Sequence, residues 1–539
     1  MLGGDKESEG PKSDAVQNHA QSTIFFFAVH CLTTPSLSNS TQMTGANYDL
    51  IARGMLDKSL TGTPQTTFWR SQWKRHTLFS IESMGQPFST PTNFGQEAQI
   101  LLNRVGDMVY YLYLHVTLPG LVACDTRTEQ CPGIAGGGQF PVFMDNGGAC
   151  QPCAKMDEAA LLEYLPADYN DLSTDAQADA LKEAKDIWRR EKYGAGRELS
   201  CCTEGDADCP DQVCPELGDT FAHYCNDVGH FMIEKAKLII GGQQVDQLWG
   251  TFLFCWEELT GKSGRRLTEL TGRRWTRSQL VCDSREERDL YIPIPFYFTL
   301  ASGSALPLAS LAYHGVQINI EFAKIEKLIV VSNSNVVVRN ARTGQGITAN
   351  DLKAEMEVTY VYLAQEERDK FSSSHFETLI VQTQHYFKTE SKQICRIPLS
   401  FNHPTLQLIF GVRRECQSRC NNHGNLSGVD GRDPIVNAEL LLNTTSRFGK
   451  KPALYWRGVI PYQHHSNLPE AYIYVMSFAM TPEDSTTPSG SCNLSRIDNI
   501  ELVLEMQSAL TNESYTVFCF SRSWNLMRFR EGVAGAAFQ

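Results

Sequence analysis

Cysteine and histidine are the residues in this chain best able to hold a metal or form a redox bond. The 17 cysteines are unevenly spread. Nine fall in one stretch: Cys124, Cys131, Cys150, Cys153, Cys201, Cys202, Cys209, Cys214 and Cys225. Cys150 and Cys153 form a CxxC pair, and Cys416, Cys420 and His423 form a CxxxCxxH group. A structural zinc ion needs four sulfur or nitrogen ligands in a tetrahedron, so one CxxC with irregular partners is a weak signature. These five residues are weak metal candidates, and neither a metal nor a cofactor is expected. For the clustered nine, disulfides lead, with free thiols and metal binding left open. Each cross-link in a long loop with little core would contribute about 2–4 kcal/mol. Singly placed cysteines, as in Leu253–Trp256 and Val517–Phe520, read as small buried hydrophobes.

Catalytic patterns are thin. Glu257 and Glu258 are adjacent on an expected helix, where neighbours point about 100° apart, so they read as a solvated helix end. His464–His465 lacks the HExxH spacing of zinc proteases and reads as a hydrogen-bonded loop. The chain has no GxSxG and no Walker-type phosphate loop, and Gly241–Gly242 suits a tight hairpin better than a phosphate cradle. An enzyme is not expected. The competing reading, a carbohydrate-binding or carbohydrate-active β-sandwich, needs two carboxylates converging in a groove from different strands. Basic residues gather at Arg70, Lys74, Arg75 and His76 among Phe68, Trp69 and Trp73, and again at Arg265, Arg266, Arg273, Arg274 and Arg277 beside Trp275. They read as solvated faces, or as contacts to acidic protein or lipid headgroups. Five NxS/T sequons, at Asn39, Asn425, Asn443, Asn493 and Asn512, mean little without a secretory route.

The elements that must position these residues are mostly strands. Gln317–Phe322 puts Ile318, Ile320 and Phe322 on one face and Asn319 and Glu321 on the other, the period of two of a half-buried strand. Asp107–Val116, Lys353–Leu363, Leu406–Val412, Ala471–Met480, Ile500–Met506 and Tyr515–Phe520 are similarly rich in β-branched and aromatic residues. Prolines punctuate the runs at Pro119, Pro293, Pro307, Pro398, Pro404 and Pro461. Helices are expected at Thr174–Lys192, where Thr174 and Gln177 can form a capping box, and at Gln247–Leu259. Residues 121–227, rich in Gly, Cys, Asp and Pro, read as a loop insertion holding short helices. The strand series restarts after about Phe322, which places a domain boundary near 325.

The bulk numbers agree. A chain of 539 residues exceeds one ordinary core, and 42% hydrophobic with 20% charged residues describes a globular protein. A net charge of −13 repels a phosphate backbone, so direct genome binding is not expected. The longest apolar run near the start, Ile24–Leu32, is nine residues, against the roughly 20 that a helix needs to cross a bilayer. Residues 1–42 read as a tail outside the packed domains, and their acidic residues make a poor signal peptide.

Several segments, taken in order, resemble the major capsid proteins of nucleocytoplasmic large DNA viruses, the group with iridoviruses and phycodnaviruses. They are LIARG, LTGTPQTTFW and KRHTLFSIE within residues 50–82, RVGDMVYYLYLHVTLP at 104–119, and IGGQQVDQLWG followed by WEEL. IPIPFYF, LPLASLAYHGVQINIEF, VIPYQHHSNLPEAYIYVMSFAMTPED and PSGSCNLSRIDNIELVLE follow, so the likeness covers most of residues 45–525. The resemblance implies an all-β double jelly roll: two tandem eight-stranded β-sandwiches, the first over residues 43–325 and the second over 326–539. It implies a homotrimer of pseudohexameric outline tiling the icosahedral outer shell of a virion assembled in the host cytoplasm. Partners would be neighbouring capsomers, minor capsid and penton proteins, with contacts on the inner-membrane side. The cysteine-rich insertion falls where the family carries a loop between two strands of the first jelly roll. It departs from the family in length and in its cysteines.

Overall fold

The computed structural model describes residues 51–64 except Arg53, then 75–125, 221–261, 268–332 except Trp275, 336–508, 510 and 513–538. The stretch before residue 76 is a separate unit, in which Met55–Thr61 is helical. The expected helix at Thr174–Lys192 and Cys131, Cys150, Cys153, Cys201, Cys202, Cys209 and Cys214 lie outside the described residues.

From His76 onward, alternating sequence becomes four main sheets. The first sandwich has strands β1 (Phe79–Pro87), β2 (Glu97–Leu101), β3 (Met108–Leu118), β4 (Ile233–Ile240), β5 (Gln243–Trp249), β6 (Arg288–Pro293), β7 (Val316–Phe322) and β8 (Lys353–Leu363). They pair as β1-β8-β3-β6 and β2-β7-β4-β5, all antiparallel. The second has β9 (Phe376–Glu390), β10 (Ile394–Pro398), β11 (Pro404–Arg414), β12 (Ile435–Leu442), β13 (Thr445–Ser446), β14 (Ile473–Ser477), β15 (Ile500–Met506) and β16 (Tyr515–Arg530). These pair as β9-β16-β11-β14 and β10-β15-β12-β13. Adding eight to each number in the first order gives the second: two jelly rolls of one topology.

The pleat explains the pairing. In β7, Val316, Ile318, Ile320 and Phe322 are buried, facing a core filled from the opposite sheet by Leu112, Leu114 and Val116 of β3. Each such side chain stabilises the fold by about 1.5–3 kcal/mol on burial. A slip of one residue would turn the whole set to solvent, which fixes the register. The β4–β5 hairpin turns at Gly241 (φ +58°) and Gly242 (φ +83°), as expected of that pair. A Cβ at Gly241 would sit 2.2 Å from the His314 ring, so this position tolerates no side chain.

Two expectations are corrected. The break between domains does not fall near 325, because β8 lies in the first sandwich between β1 and β3. The chain crosses over instead at the polar, solvent-facing helix Gln365–Ser373, pinned by Arg368 to Asp107 (2.7 Å). The apparent restart after Phe322 is two short strands, Ile329–Val331 and Val336–Asn340, inside the β7–β8 connection. The expected helix at Gln247 begins at Gly250 and ends at Thr260, since β5 keeps pairing with β4 as far as Trp249.

Those two short strands hold the base of the cysteine-rich insertion. Leu121–Asp125 pairs with Val336–Asn340, and Ala222–Tyr224 pairs with Ile329–Val331. Asp125 therefore sits opposite Val336 and Ala222 opposite Val331, so the insertion leaves and returns beside neighbouring parts of one connection.

Candidate functional site: the seam joining the two sandwiches

Chemistry-bearing side chains concentrate where the β5–β6 crossover of the first sandwich meets the β9-β16-β11-β14 sheet of the second. The helix Gly250–Thr260 is apolar nearly all round, with Phe252, Leu253, Phe254, Cys255, Trp256 and Leu259 buried. Such a helix must be covered on every side. Phe252 meets Phe520 edge-on at 5.4 Å, and just before the helix Trp249 packs on His385 at 3.7 Å. Two buried guanidinium groups approach from the second sandwich. Arg522 lies 3.8 Å over the Trp256 ring and donates to Pro482 O (3.1 Å); Arg413 donates to Thr251 Oγ1 (3.1 Å) and lies over Phe231. Burial pushes both down to about 10, because the interior disfavours the cation.

A charged knot locks the helix end. Arg273 Nε donates to both oxygens of Asp227 (2.6 and 2.7 Å), and its Nη1 donates to Glu258 Oε1 (2.7 Å). Glu258 also accepts from the second sandwich: its Oε2 from Glu470 N (3.1 Å) and its backbone carbonyl from Asn467 Nδ2 (2.9 Å). All three charges are buried. Breaking such a pair by removing one partner is far more damaging than its net contribution suggests. Glu258 is thus not a solvated helix end, and Arg273 is not part of a solvated face. Arg274 pairs with Asp283, and Arg277 lies 5.4 Å over Phe221. Arg265 and Arg266 lie outside the described residues, as do Arg70 and Lys74; Arg75 and His76 are exposed.

His465 fits its expected place in a hydrogen-bonded loop: it is enclosed, with Nδ1 3.0 Å from Glu483 Oε1 and Nε2 2.8 Å from Gln407 Oε1. Burial lowers its pKa. Nearby, Asp246 accepts from Thr383 N and from Gln247 N, both at 2.9 Å, while burial pushes it up to about 7. It borders a cavity of about 280 Å³ lined by Gln244, Trp249, Gln382, Gln384, His385 and Phe401. The amides there are already engaged: Gln382 with Val245 O, Gln384 with Asn402 and Gln244 with Gln247. Asp227 and Glu258 do converge, but on Arg273 in the interior and not across a groove, so they cannot flank a sugar.

The cysteines divide. Cys124, at the base of the insertion, is disulfide-bonded. So is Cys282, which the sequence offered only as a lone apolar residue. Cys225, grouped with the disulfide candidates, is instead a buried thiol whose pKa is driven up by burial. Cys416 and Cys420 lie one turn apart, with Cys420 N donating to Cys416 O (3.0 Å). His423 points its Nε2 at Lys327 O (2.7 Å); a carbonyl only accepts, so this nitrogen carries the hydrogen and has no lone pair for a metal. Among the described residues no group of three or more His, Cys, Asp or Glu is placed to hold a metal ion.

Comparison with known proteins bears on the same elements. Residues 67–135 and 212–364 match the family described as major capsid protein N-terminus, and residues 367–535 match large eukaryotic DNA virus major capsid protein. The two matches meet at the crossover helix. The major capsid protein of Pyramimonas orientalis virus is 26% identical over 92% of this chain and 100% of its own length. That of Paramecium bursaria Chlorella virus 1 is 22% identical over 92% of this chain and 100% of its own. In the solved PBCV-1 virus capsid, one chain superposes with a TM-score of 0.57 at 20% identity, covering 88% of this chain and 100% of that one. The Faustovirus major capsid protein superposes at 0.56 with 11% identity, over 90% and 96%. Full-length matches in family order, on a doubled jelly roll whose motifs meet at the seam, place the chain in the major capsid protein family of large eukaryotic DNA viruses.

Proposed function

We propose that three copies of this chain close into a ring-shaped capsomer, and that such capsomers pave the outer shell of a large DNA virus. The observation that carries this reading is the repeated topology: each chain offers two equivalent sandwiches fixed side by side, so three chains present six around a threefold axis. A near-hexagonal block packs a surface without gaps. A wide, rigid seam serves such a role, and the buried charges on it serve orientation: they grip neighbouring segments where catalysis would need an open cleft. In this reading the chain has no catalytic activity, assembles in the host cytoplasm, and contacts neighbouring capsomers, minor capsid proteins and penton proteins. Sedimentation of purified protein at micromolar concentration tests it. A particle of about 180 kDa, three times 60.3 kDa, is expected. A folded, persistent monomer would overturn the reading.

A further inference from the structure

In the cavity beside the seam, a buried acid keeps one atom free. Asp246, on β5, is only 5% exposed. Both hydrogen bonds that it accepts, from Thr383 N and Gln247 N, go to Oδ1. Among the described residues Oδ2 has no hydrogen-bond partner, and Asp246 lines the cavity of about 280 Å³. An unpaired carboxylate oxygen in so enclosed a place costs stability, so its position points to a partner from outside the chain. Burial pushes the acid up to about 7, so near neutrality it can accept a hydrogen bond or donate one. A hydroxyl-rich ligand calls for both.

The walls are amides and rings. Gln382 Nε2 donates to Val245 O (2.5 Å), and its Oε1 accepts from Asn525 Nδ2 (2.8 Å). Gln384 Nε2 donates to Asn402 O (3.3 Å), and its Oε1 accepts from Asn402 N (2.8 Å). These bonds hold the amides in place without exhausting them, since each NH2 has two hydrogens and each oxygen two lone pairs. His385 is exposed and packs on the buried Trp249, with ring centroids 3.7 Å apart. Burial and the nearby Lys235 hold His385 below its usual value, so its ring is neutral at pH 7. An aromatic shelf beside planar amides and one acid suits a sugar ring, whose C–H face packs on the shelf while its hydroxyls bond at the edge. Lys235 and Arg522, both close by, disfavour a cationic ligand. The volume lies at the small end of the roughly 300–1,000 Å³ typical of ligand pockets, which suits one ring and not a chain.

We infer that this cavity binds one neutral monosaccharide unit, with Asp246 and the Gln382 and Gln384 amides taking its hydroxyls and His385 its C–H face. A glycosidase flanks the scissile bond with two carboxylates. Among the described residues Asp246 is the one acid lining the cavity, so the site holds a sugar without cleaving it. The site lies within a single chain and does not depend on the trimer reading.

Saturation-transfer NMR on the full chain tests it, with glucose, galactose, mannose and fucose, each free and as its methyl glycoside. At least one should receive transfer. Asp246→Asn keeps Oδ1 for its two backbone donors and should weaken that sugar by about tenfold or more, the loss of a hydrogen bond to an acid. Ser400→Trp, at the exposed rim, should fill the mouth and abolish transfer while leaving the melting transition unchanged. Should Asp246→Asn lose its cooperative melting transition, Ser400→Trp decides alone. A methyl glycoside that binds as well as its free sugar identifies the end of a glycan chain as the ligand; binding of free sugars alone identifies a free monosaccharide. Both results support the site. No transfer to any sugar, or unchanged transfer in either folded variant, overturns the inference. Sedimentation is read separately: trimers that bind no sugar overturn this inference alone, and a monomer that binds sugar overturns the capsomer reading alone.

Discussion

The first and second sandwiches share one strand order, yet the β3–β4 connection of the first spans residues 119–232 while the corresponding β11–β12 connection spans 415–434. The difference shows that strand register, set by side chains alternating between core and solvent, does not depend on what joins the strands. A long insertion is tolerated because its ends are tied down: Leu121–Asp125 and Ala222–Tyr224 are each paired to the β7–β8 connection before the chain departs. The second sandwich closes the same position with a short helix, Glu415–Arg419, and Arg414, whose guanidinium makes a two-pronged contact with Glu513 (2.8 and 2.8 Å).

The strongest way to break this comparison is at the charged knot of the first sandwich. Arg273→Met leaves Asp227 and Glu258 buried against each other without their cation, and should cost about 3–5 kcal/mol in denaturant unfolding. Arg414→Met in the second sandwich removes a pair that is only partly enclosed, and about 1.5–3 kcal/mol is expected. If the two losses were equal, burial of the knot would not be what distinguishes them.

Acid provides a graded test. His223 and His230, at the base of the insertion, are held down to about 4 and about 3 by burial. Their unfolded values lie near 6.5, so folded protein resists their protonation. The stability this represents is complete above about pH 6.5 and is lost as pH falls towards about 4 and then 3. Asp246 works in the opposite sense: its folded value of about 7 exceeds the unfolded one, so its ionisation weakens the seam as pH rises from about 4 through 7. Hydrogen exchange at Ala222–Phe231 should therefore accelerate below pH 6 sooner than exchange in β15. His230→Gln should flatten that difference.

The smallest effect is expected from the largest deletion. Joining Asp125 to Phe221 by a short Gly-Ser linker, in place of residues 126–220, should leave a cooperative transition and the size of the proposed capsomer unchanged. Loop-length entropy varies by only about 0.6 kcal/mol per doubling. Cys225, Tyr224 and Leu121 must be kept, because they are buried in the core. Loss of all folding would mean that the insertion shapes the sandwich.

Much of this architecture was legible in the sequence. Strands such as Lys353–Leu363 and Ile500–Met506 are legible to the residue, since alternation is a local signal. The hairpin at Gly241–Gly242 was equally local. Partnership was not. Nothing near Lys353 says that it belongs with Phe79–Pro87, some 270 residues earlier, so alternation alone puts the boundary too early. Glu258 and Arg273 looked like surface charges because their other partner, Asp227, stands 46 residues before Arg273. Cys282 gave no sign of a disulfide, being alone in its segment.

The tethered base of the insertion has a practical consequence. A foreign domain whose own termini lie close together could be spliced between Asp125 and Phe221 without prying the sheets apart. Each copy of the chain would then carry its cargo at the same fixed point of the fold.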